Sequence, residues 1–111
     1  MIKVEIYKSH EGNITGYFVE GHAKHEGKYY DVVCSAVSAL TQTAALGLNN
    51  VLNIGIEFAM WEGCLLCKIP CLSSDIVRDK ASAILETMLI GLKKIEEEYA
   101  DYIEVMEKEE V

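Results

Sequence analysis

Basic residues are scarce in this chain of 111 residues, which has 10 Lys and Arg against 18 Asp and Glu and a formal net charge of −8. Proteins that bind nucleic acid through its phosphates need an excess of Lys and Arg, so direct nucleic-acid binding is not expected. An acidic surface is better suited to a basic protein or peptide. The charge therefore favours a basic macromolecular partner.

The N-terminus lacks the apolar run of a secretory signal peptide, because residues 1–8 alternate apolar and polar side chains. No stretch is expected to approach membrane-spanning length, so we expect no membrane partner. These absences predict a cytoplasmic protein. In that compartment the cysteines would be reduced thiols rather than a disulfide framework. They are Cys34, Cys64, Cys67 and Cys71.

Internal repeats and linkers are also absent, and half of the residues are apolar. At this length the sequence predicts a single domain, residues 1–111, with a core of its own.

No metal site is expected. Cys64 and Cys67 lie three residues apart in a predicted strand and would point to opposite faces, and no second CxxC or HxxxH completes a tetrahedral set. We expect no cofactor.

Residue periodicity predicts five strands. Ile2, Val4 and Ile6 alternate with polar residues, as in a strand with one buried face, and the Gly12-Asn13 pair predicts a turn into a second strand. Pro70 has no N–H for a ladder and should end the fourth strand. The expected strands cover residues 2–7, 14–20, 56–60, 64–69 and 102–106.

Two helices complete the predicted order ββαββαβ. The first, residues 32–51, consists of Ala, Val, Leu, Ser and Thr almost all round, which is typical of a buried helix. The second follows a cap at Ser73, Ser74 or Asp75 and is amphipathic. The order predicts an α+β fold, with one mixed or antiparallel five-stranded sheet packed with two helices. Since one sheet face cannot cover the first helix, the second helix or another subunit must, which favours a homodimer.

Residues 21–40 contain a candidate cysteine nucleophile. Cys34 comes three residues after Asp31, a predicted helix N-cap, and would be the third residue of the helix. Unpaired amides and the helix dipole favour an anion in the first turn, so a thiolate should form there more easily than in a free cysteine. His22 follows Gly21, and the loop after it could fold back to set the imidazole beside the thiol.

The residues alone leave alternatives open. Buried free cysteine is common and behaves as a small hydrophobe, so Cys34 could be structural. His25 could be the base instead of His22, although it lacks the neighbouring glycine. Asp31 could cap the helix or orient His22, and we favour the cap. Ser38, one turn after Cys34, could hydrogen-bond near the thiol or simply permit close packing.

The run GHA at residues 21–23, a loop ending in Asp31 and the run VVCSAVSAL at residues 32–40 resemble the signature of the bacterial ribosomal-processing cysteine protease family, called Prp or YsxB-like. Length, element order and acidity extend this resemblance in outline over the whole chain. The resemblance implies a small dimeric cysteine endopeptidase. Its implied substrate is the precursor of a large-subunit ribosomal protein, number twenty-seven, from which it removes a short N-terminal extension.

Residue by residue, the resemblance places the family's catalytic histidine on His22 and its nucleophile on Cys34. The motif's aspartate and serine fall on Asp31 and Ser38, and Gly21 precedes the histidine. The implied mechanism is proton transfer from thiol to imidazole, attack on the scissile carbonyl and hydrolysis of the acyl-enzyme. Backbone N–H groups at the helix start could hold the oxyanion.

The chain departs from the family pattern at Ser35, which is usually alanine, and at Tyr29, which is usually a small residue. The bulkier Tyr29 could change the hinge or the subsites of the expected substrate loop, whose residues are Lys24, His25, Gly27, Tyr29 and Tyr30.

A rival function from another class is a non-catalytic ribosome-assembly factor. Such a factor would bind a basic ribosomal protein through its acidic surface, and Cys34 would merely be buried.

Overall fold

The computed structural model describes residues 1–21 and 27–110. Within them the elements follow the predicted order ββαββαβ, so the α+β prediction is confirmed. A π-helical turn, Gly47–Val51, continues the first helix. The elements are β1 Ile2–Lys8, β2 Ile14–Glu20, α1 Tyr30–Leu46, β3 Glu57–Trp61, β4 Cys64–Lys68, α2 Asp75–Glu98 and β5 Ile103–Glu109.

The five strands form one mixed sheet in the order β3-β4-β2-β1-β5. The β1–β2, β2–β4 and β3–β4 pairs are antiparallel, whereas β1 and β5 run parallel from the Ile2–Ile103 pair to the Lys8–Glu109 pair. The helix α2 between β4 and β5 supplies the long crossover that such an arrangement needs. The first and last strands therefore lie side by side, with β1 and β2 near the centre of the sheet.

One face of the sheet is buried under the helices. On β1, Val4 and Ile6 are fully buried, while Lys3 is exposed and Glu5 is half-buried on the opposite face. The alternation predicted for this strand is thus confirmed. The buried face packs against apolar residues of both helices, which include Val33, Val37, Leu85, Leu89 and Leu92.

The helix α1 is covered on one side only. Its buried residues recur three or four apart, but Val32, Leu46 and Val51 of α1 and its π-helical turn are more than half exposed. The sheet and α2 therefore leave part of α1 uncovered in a single chain, and cover by another subunit stays a prediction. At the middle of the buried side, the Tyr17 hydroxyl donates a 2.6 Å hydrogen bond to the Thr41 carbonyl and ties α1 to β2.

The segment Tyr30–Val51 has 22 residues and a mean hydropathy of 1.3, which would suffice by length and composition to cross a membrane. The expectation that no stretch approaches this length is wrong. A helix from a protein core passes the same test, and α1 packs its buried side on the sheet and α2.

The helix α2 begins as the sequence predicts. Ser74 is its N-cap, and the Ser74 Oγ accepts a 3.3 Å hydrogen bond from the amide of Val77. Of the three candidate caps, Ser74 is therefore correct. The helix buries one stripe, consisting of Ala81, Leu85, Met88, Leu89 and Leu92, which confirms that it is amphipathic.

Candidate active site

A cleft of about 320 Å³ lies between α1 and the β3–β4 hairpin. From α1, Cys34 and Ser38 line it, and Gly21 lines it from the end of β2. The hairpin contributes the large apolar side chains of Met60 and Trp61. Tyr30, at the start of α1, also lines the cleft. The structure therefore brings four of the predicted site residues to one concave surface, the usual shape of a binding site.

Cys34 is half-buried and is the fifth residue of α1. The expected third position is wrong, because the helix begins two residues earlier, at Tyr30. Tyr29 is the N-cap, and its carbonyl accepts a 3.0 Å hydrogen bond from the Val33 amide. Cys34 thus lies just beyond the turn whose amides point out of the helix, but its Cα–Cβ bond tilts back towards that turn.

Asp31 is not the N-cap residue of the helix. It is the second residue of α1 and is exposed, and the N-cap residue Tyr29 makes no side-chain cap hydrogen bond. A carboxylate in the first turn still interacts favourably with the helix dipole. The preferred role for Asp31 is therefore wrong, and its alternative role of orienting His22 stays a prediction.

Ser38 and Thr41 follow Cys34 along α1 but differ in what their hydroxyls do. The Thr41 hydroxyl donates 2.9 Å to the Val37 carbonyl within the helix and is fully buried. Ser38 is only partly buried and lines the cleft with Cys34. A Ser38 hydrogen bond near the thiol stays a prediction. Ser35, the departure next to the cysteine, is exposed and does not line the cleft.

The end of β2 is held against the β3–β4 turn by two glycines. The Gly21 amide donates a 2.7 Å hydrogen bond to the Gly63 carbonyl. Gly63 has a φ of +75°, and a Cβ there would lie 3.0 Å from the Gly21 carbonyl oxygen. Gly21 and Gly63 lie far apart in sequence, and the pairing of β4 with β2 brings them together.

The positions of Tyr29 and Tyr30 differ from those predicted for a substrate loop. Tyr30 is the first residue of α1 and is buried, with its side chain lining the cleft, so its assignment to the loop is wrong. The Tyr29 ring packs on Tyr99 and Tyr102, with ring centroids 5.9 and 6.4 Å apart. Tyr29 does not line the cleft. This departure from the family pattern therefore affects how the turn before α1 packs on Tyr99 and Tyr102.

Of the other predicted loop residues, some lie within the described part of the chain and some lie outside it. Gly27 belongs to the turn before α1 and has a φ of +93°. His22, Lys24 and His25 lie outside the described residues. The pairing of His22 with Cys34, and the choice between His22 and His25 as the base, therefore stay predictions.

The remaining cysteines occupy three different environments. Cys64 is half-buried in the cleft wall, whereas Cys67 is fully buried in register with Tyr17, so the expectation that they face opposite sides of the strand is confirmed. Burial raises the pKa of the Cys67 thiol. Cys71 is exposed. Among residues 1–21 and 27–110, no three His, Cys, Asp or Glu side chains come close enough to hold a metal ion.

The chain is similar to proteins of one family along nearly its whole length. The sequence profile of the family described as cysteine protease Prp matches residues 1–104. The ribosomal processing cysteine protease Prp of Staphylococcus aureus (strain Mu50 / ATCC 700699) is 35% identical over 106 residues, which cover 93% of this chain and 95% of that protein.

Solved structures show the same similarity. The crystal structure of an essential ribosomal processing protease Prp from S. aureus in complex with a substrate peptide matches with a TM-score of 0.85 at 29% identity, covering 97% of this chain and 100% of that one. A second structure of that protease, with a covalently linked product peptide, matches with a TM-score of 0.82, the same identity and the same coverage. This chain therefore belongs to the cysteine protease Prp family.

Proposed function

We propose that this protein is a cysteine endopeptidase that removes the N-terminal extension of large-subunit ribosomal protein number twenty-seven, with Cys34 as nucleophile and His22 as base. The observation that carries the proposal is the placement of Cys34, half-buried in a cleft of about 320 Å³ beside Ser38 and Gly21. A purely structural cysteine would more often be fully buried, as Cys67 is.

In the proposed reaction, His22 accepts the thiol proton and the sulfur of Cys34 attacks the scissile carbonyl carbon. The imidazolium then protonates the departing amine, the C–N bond breaks and a thioester remains on Cys34. Water, deprotonated by the same imidazole, hydrolyses the thioester and releases the acid. A covalently linked product peptide in the S. aureus relative is compatible with such a covalent step.

The cleft wall opposite Cys34 suits a peptide substrate. Met60 and Trp61 are 58% and 51% exposed, and both line the cleft. Covering such large apolar side chains with substrate side chains would remove apolar surface from water and stabilise the complex. The net charge of −8 would attract a basic ribosomal protein at long range.

The test is hydrolysis of a peptide that spans the extension junction of that ribosomal protein, followed by mass spectrometry. We expect cleavage at one bond by the parent protein, loss of turnover in His22→Ala and no cleavage of a peptide with the junction residues scrambled. Peptide binding without cleavage by the parent would contradict the proposal and favour the non-catalytic assembly factor.

We also propose that the protein forms a homodimer. A surface groove between α1 and β3 is lined by Leu46 and Phe58, both more than two-fifths exposed in the single chain. Their burial in a subunit interface would give α1 the cover that one chain does not provide. Light scattering at micromolar concentration should give the mass of two chains, and a monomer mass would contradict the dimer.

We place the protein in the cytoplasm, since the proposed substrate is a ribosomal protein precursor made there. A fluorescent fusion should distribute through the cell interior. Accumulation of the fusion at the membrane would contradict this assignment.

A further inference from the structure

We propose that Tyr102 is a positioning residue for the active site, which anchors the turn Gly27–Tyr29 and thereby the start of the helix that carries Cys34. The inference rests on the proposed protease function. Tyr102 lies outside the cleft, in the turn between α2 and β5. It therefore acts through the backbone ahead of α1 and touches no reacting atom.

The backbone of Tyr102 is fixed by two neighbouring elements. Its amide donates 2.8 Å to the carbonyl of Tyr99, the C-cap of α2, and its carbonyl accepts 2.8 Å from the amide of Ile2 at the start of β1. Tyr102 immediately precedes β5, which pairs with β1 along its whole length. The side chain is thus presented from a rigid junction of sheet and helix.

That side chain lies directly against the turn before α1. An ideal Cβ on Gly27 would be 2.5 Å from the Tyr102 Oη and 2.8 Å from its Cε1, so a side chain at residue 27 would have to displace the Tyr102 ring. The Tyr29 ring meets the Tyr102 ring edge-on, at 6.4 Å between centroids, and the Tyr29 amide lies 3.5 Å from the Tyr102 Oη. At that distance the hydrogen bond is weak, and ring packing provides most of the contact.

The turn and the nucleophile are linked through a short stretch of helix. Tyr29 is the N-cap of α1, and its carbonyl accepts the hydrogen bond of Val33, the residue before Cys34. Displacement of Tyr29 would therefore unwind or shift the first turn of α1. Small displacements of a reacting group can lower turnover about a hundredfold while leaving the binding surface intact.

The experiment compares Tyr102→Ala, Tyr102→Phe and the control Val105→Ala in the full-length protein. Val105 is half-buried on β5 and packs on the core, so its truncation tests destabilisation away from the turn. Hydrolysis of the junction peptide is measured well below the unfolding temperature, and amide hydrogen exchange is followed at residues 27–33. Tyr102→Phe retains the ring and should rescue most of the function.

For Tyr102→Ala we expect kcat to fall about tenfold or more, KM to stay within about threefold because the β3–β4 wall is untouched, and exchange at residues 27–33 to rise. Tyr102→Phe should stay close to the parent in kcat. The inference is overturned if Tyr102→Ala lowers kcat no more than Val105→Ala, or if exchange at residues 27–33 does not rise. Failure of the parent to cleave the peptide would instead overturn the proposed function, and the inference with it.

Discussion

Gly21 and Gly63, which both line the Cys34 cleft, meet backbone to backbone. The Gly21 amide donates 2.7 Å to the Gly63 carbonyl, and the Cα of Gly63 faces the Gly21 carbonyl oxygen so closely that a Cβ would lie 3.0 Å from it. This contact extends the β2–β4 pairing by one residue beyond Glu20 and Cys64. It holds the residue after β2 against the β3–β4 turn, and His22 follows that residue in the sequence.

Gly63→Ala should lower the free energy of unfolding by about 2 kcal/mol, since the positive φ is unfavourable for alanine and the Gly21 carbonyl oxygen would have to shift. Gly12→Ala is the matched control: its φ is +89°, but a Cβ there meets no atom within 4 Å, so it should cost about 1 kcal/mol. Urea unfolding measures both. Equal losses in the two variants would show that the close approach to Gly21 is unimportant.

The cap of α2 supplies a second prediction. Ser74→Ala removes the hydroxyl that accepts from the Val77 amide and should lower the free energy of unfolding by about 1 kcal/mol. Ser73→Ala, at the neighbouring exposed position, should change it by less than about 0.5 kcal/mol. Thermal unfolding of the pair gives the comparison. If Ser73→Ala were the more damaging change, Ser74 would not be the cap.

Glu107 should make stability depend on pH in the acid range. Hydrogen bonds from Lys8 and then Lys93 lower the Glu107 pKa from 4.5 to about 2. The folded state therefore binds the proton less tightly than the unfolded chain, and the stabilisation is complete above pH 4.5 and lost as the pH falls towards 2. The carboxylate is partly exposed, so salt should weaken the effect.

Urea midpoints of the parent and Glu107→Gln should accordingly differ most near neutral pH and converge as the pH approaches 2. Glu104→Gln, which alters an exposed carboxylate of the same strand, is the control for the loss of one charge. If the difference in urea midpoint between the parent and Glu107→Gln stays constant across this pH range, the ion pairs of Glu107 are not its cause.

Alkylation rates distinguish a cysteine thiol that is chemically activated from one that is merely accessible. Cys71 is exposed and Cys34 only half-buried, so accessibility alone would make Cys71 react first. If Cys34 is an activated nucleophile, iodoacetamide should label it about tenfold faster than Cys71 near pH 7. His22→Ala should remove that advantage. Peptide mass spectrometry gives the rates, and an order that simply follows exposure would count against activation.

Local patterns predicted the elements because strand alternation and helix caps depend on neighbouring residues. Val4 and Ile6 marked the buried face of β1, and Ser74 marked the start of α2. The start of α1 was placed two residues late, because its N-cap, Tyr29, has no capping side chain. At this start Tyr30 packs into the core, and Tyr29 packs on Tyr99 and Tyr102. These contacts join residues far apart in the sequence, so no local sequence pattern predicts them.

The candidate site likewise has one part that the local sequence predicts and another part that it does not. Gly21, Cys34 and Ser38 stand in one motif and could be identified from sequence, and the structure places all three on the cleft. Trp61 and Gly63 enter the site only because β4 pairs with β2, a pairing between segments more than forty residues apart in sequence. Long-range strand order cannot be deduced from periodicity, so the opposite wall of the cleft was not predicted.

Cleavage of the junction peptide by Cys34→Ala, beside the parent and Cys64→Ala, tests the central claim most directly. Both cysteines line the same cleft, so Cys64→Ala controls for removal of a thiol from it. We predict that Cys34→Ala remains folded by circular dichroism and has no detectable turnover, while Cys64→Ala retains at least half of the parent rate. Turnover by Cys34→Ala at the parent rate would contradict the assignment of Cys34 as the nucleophile.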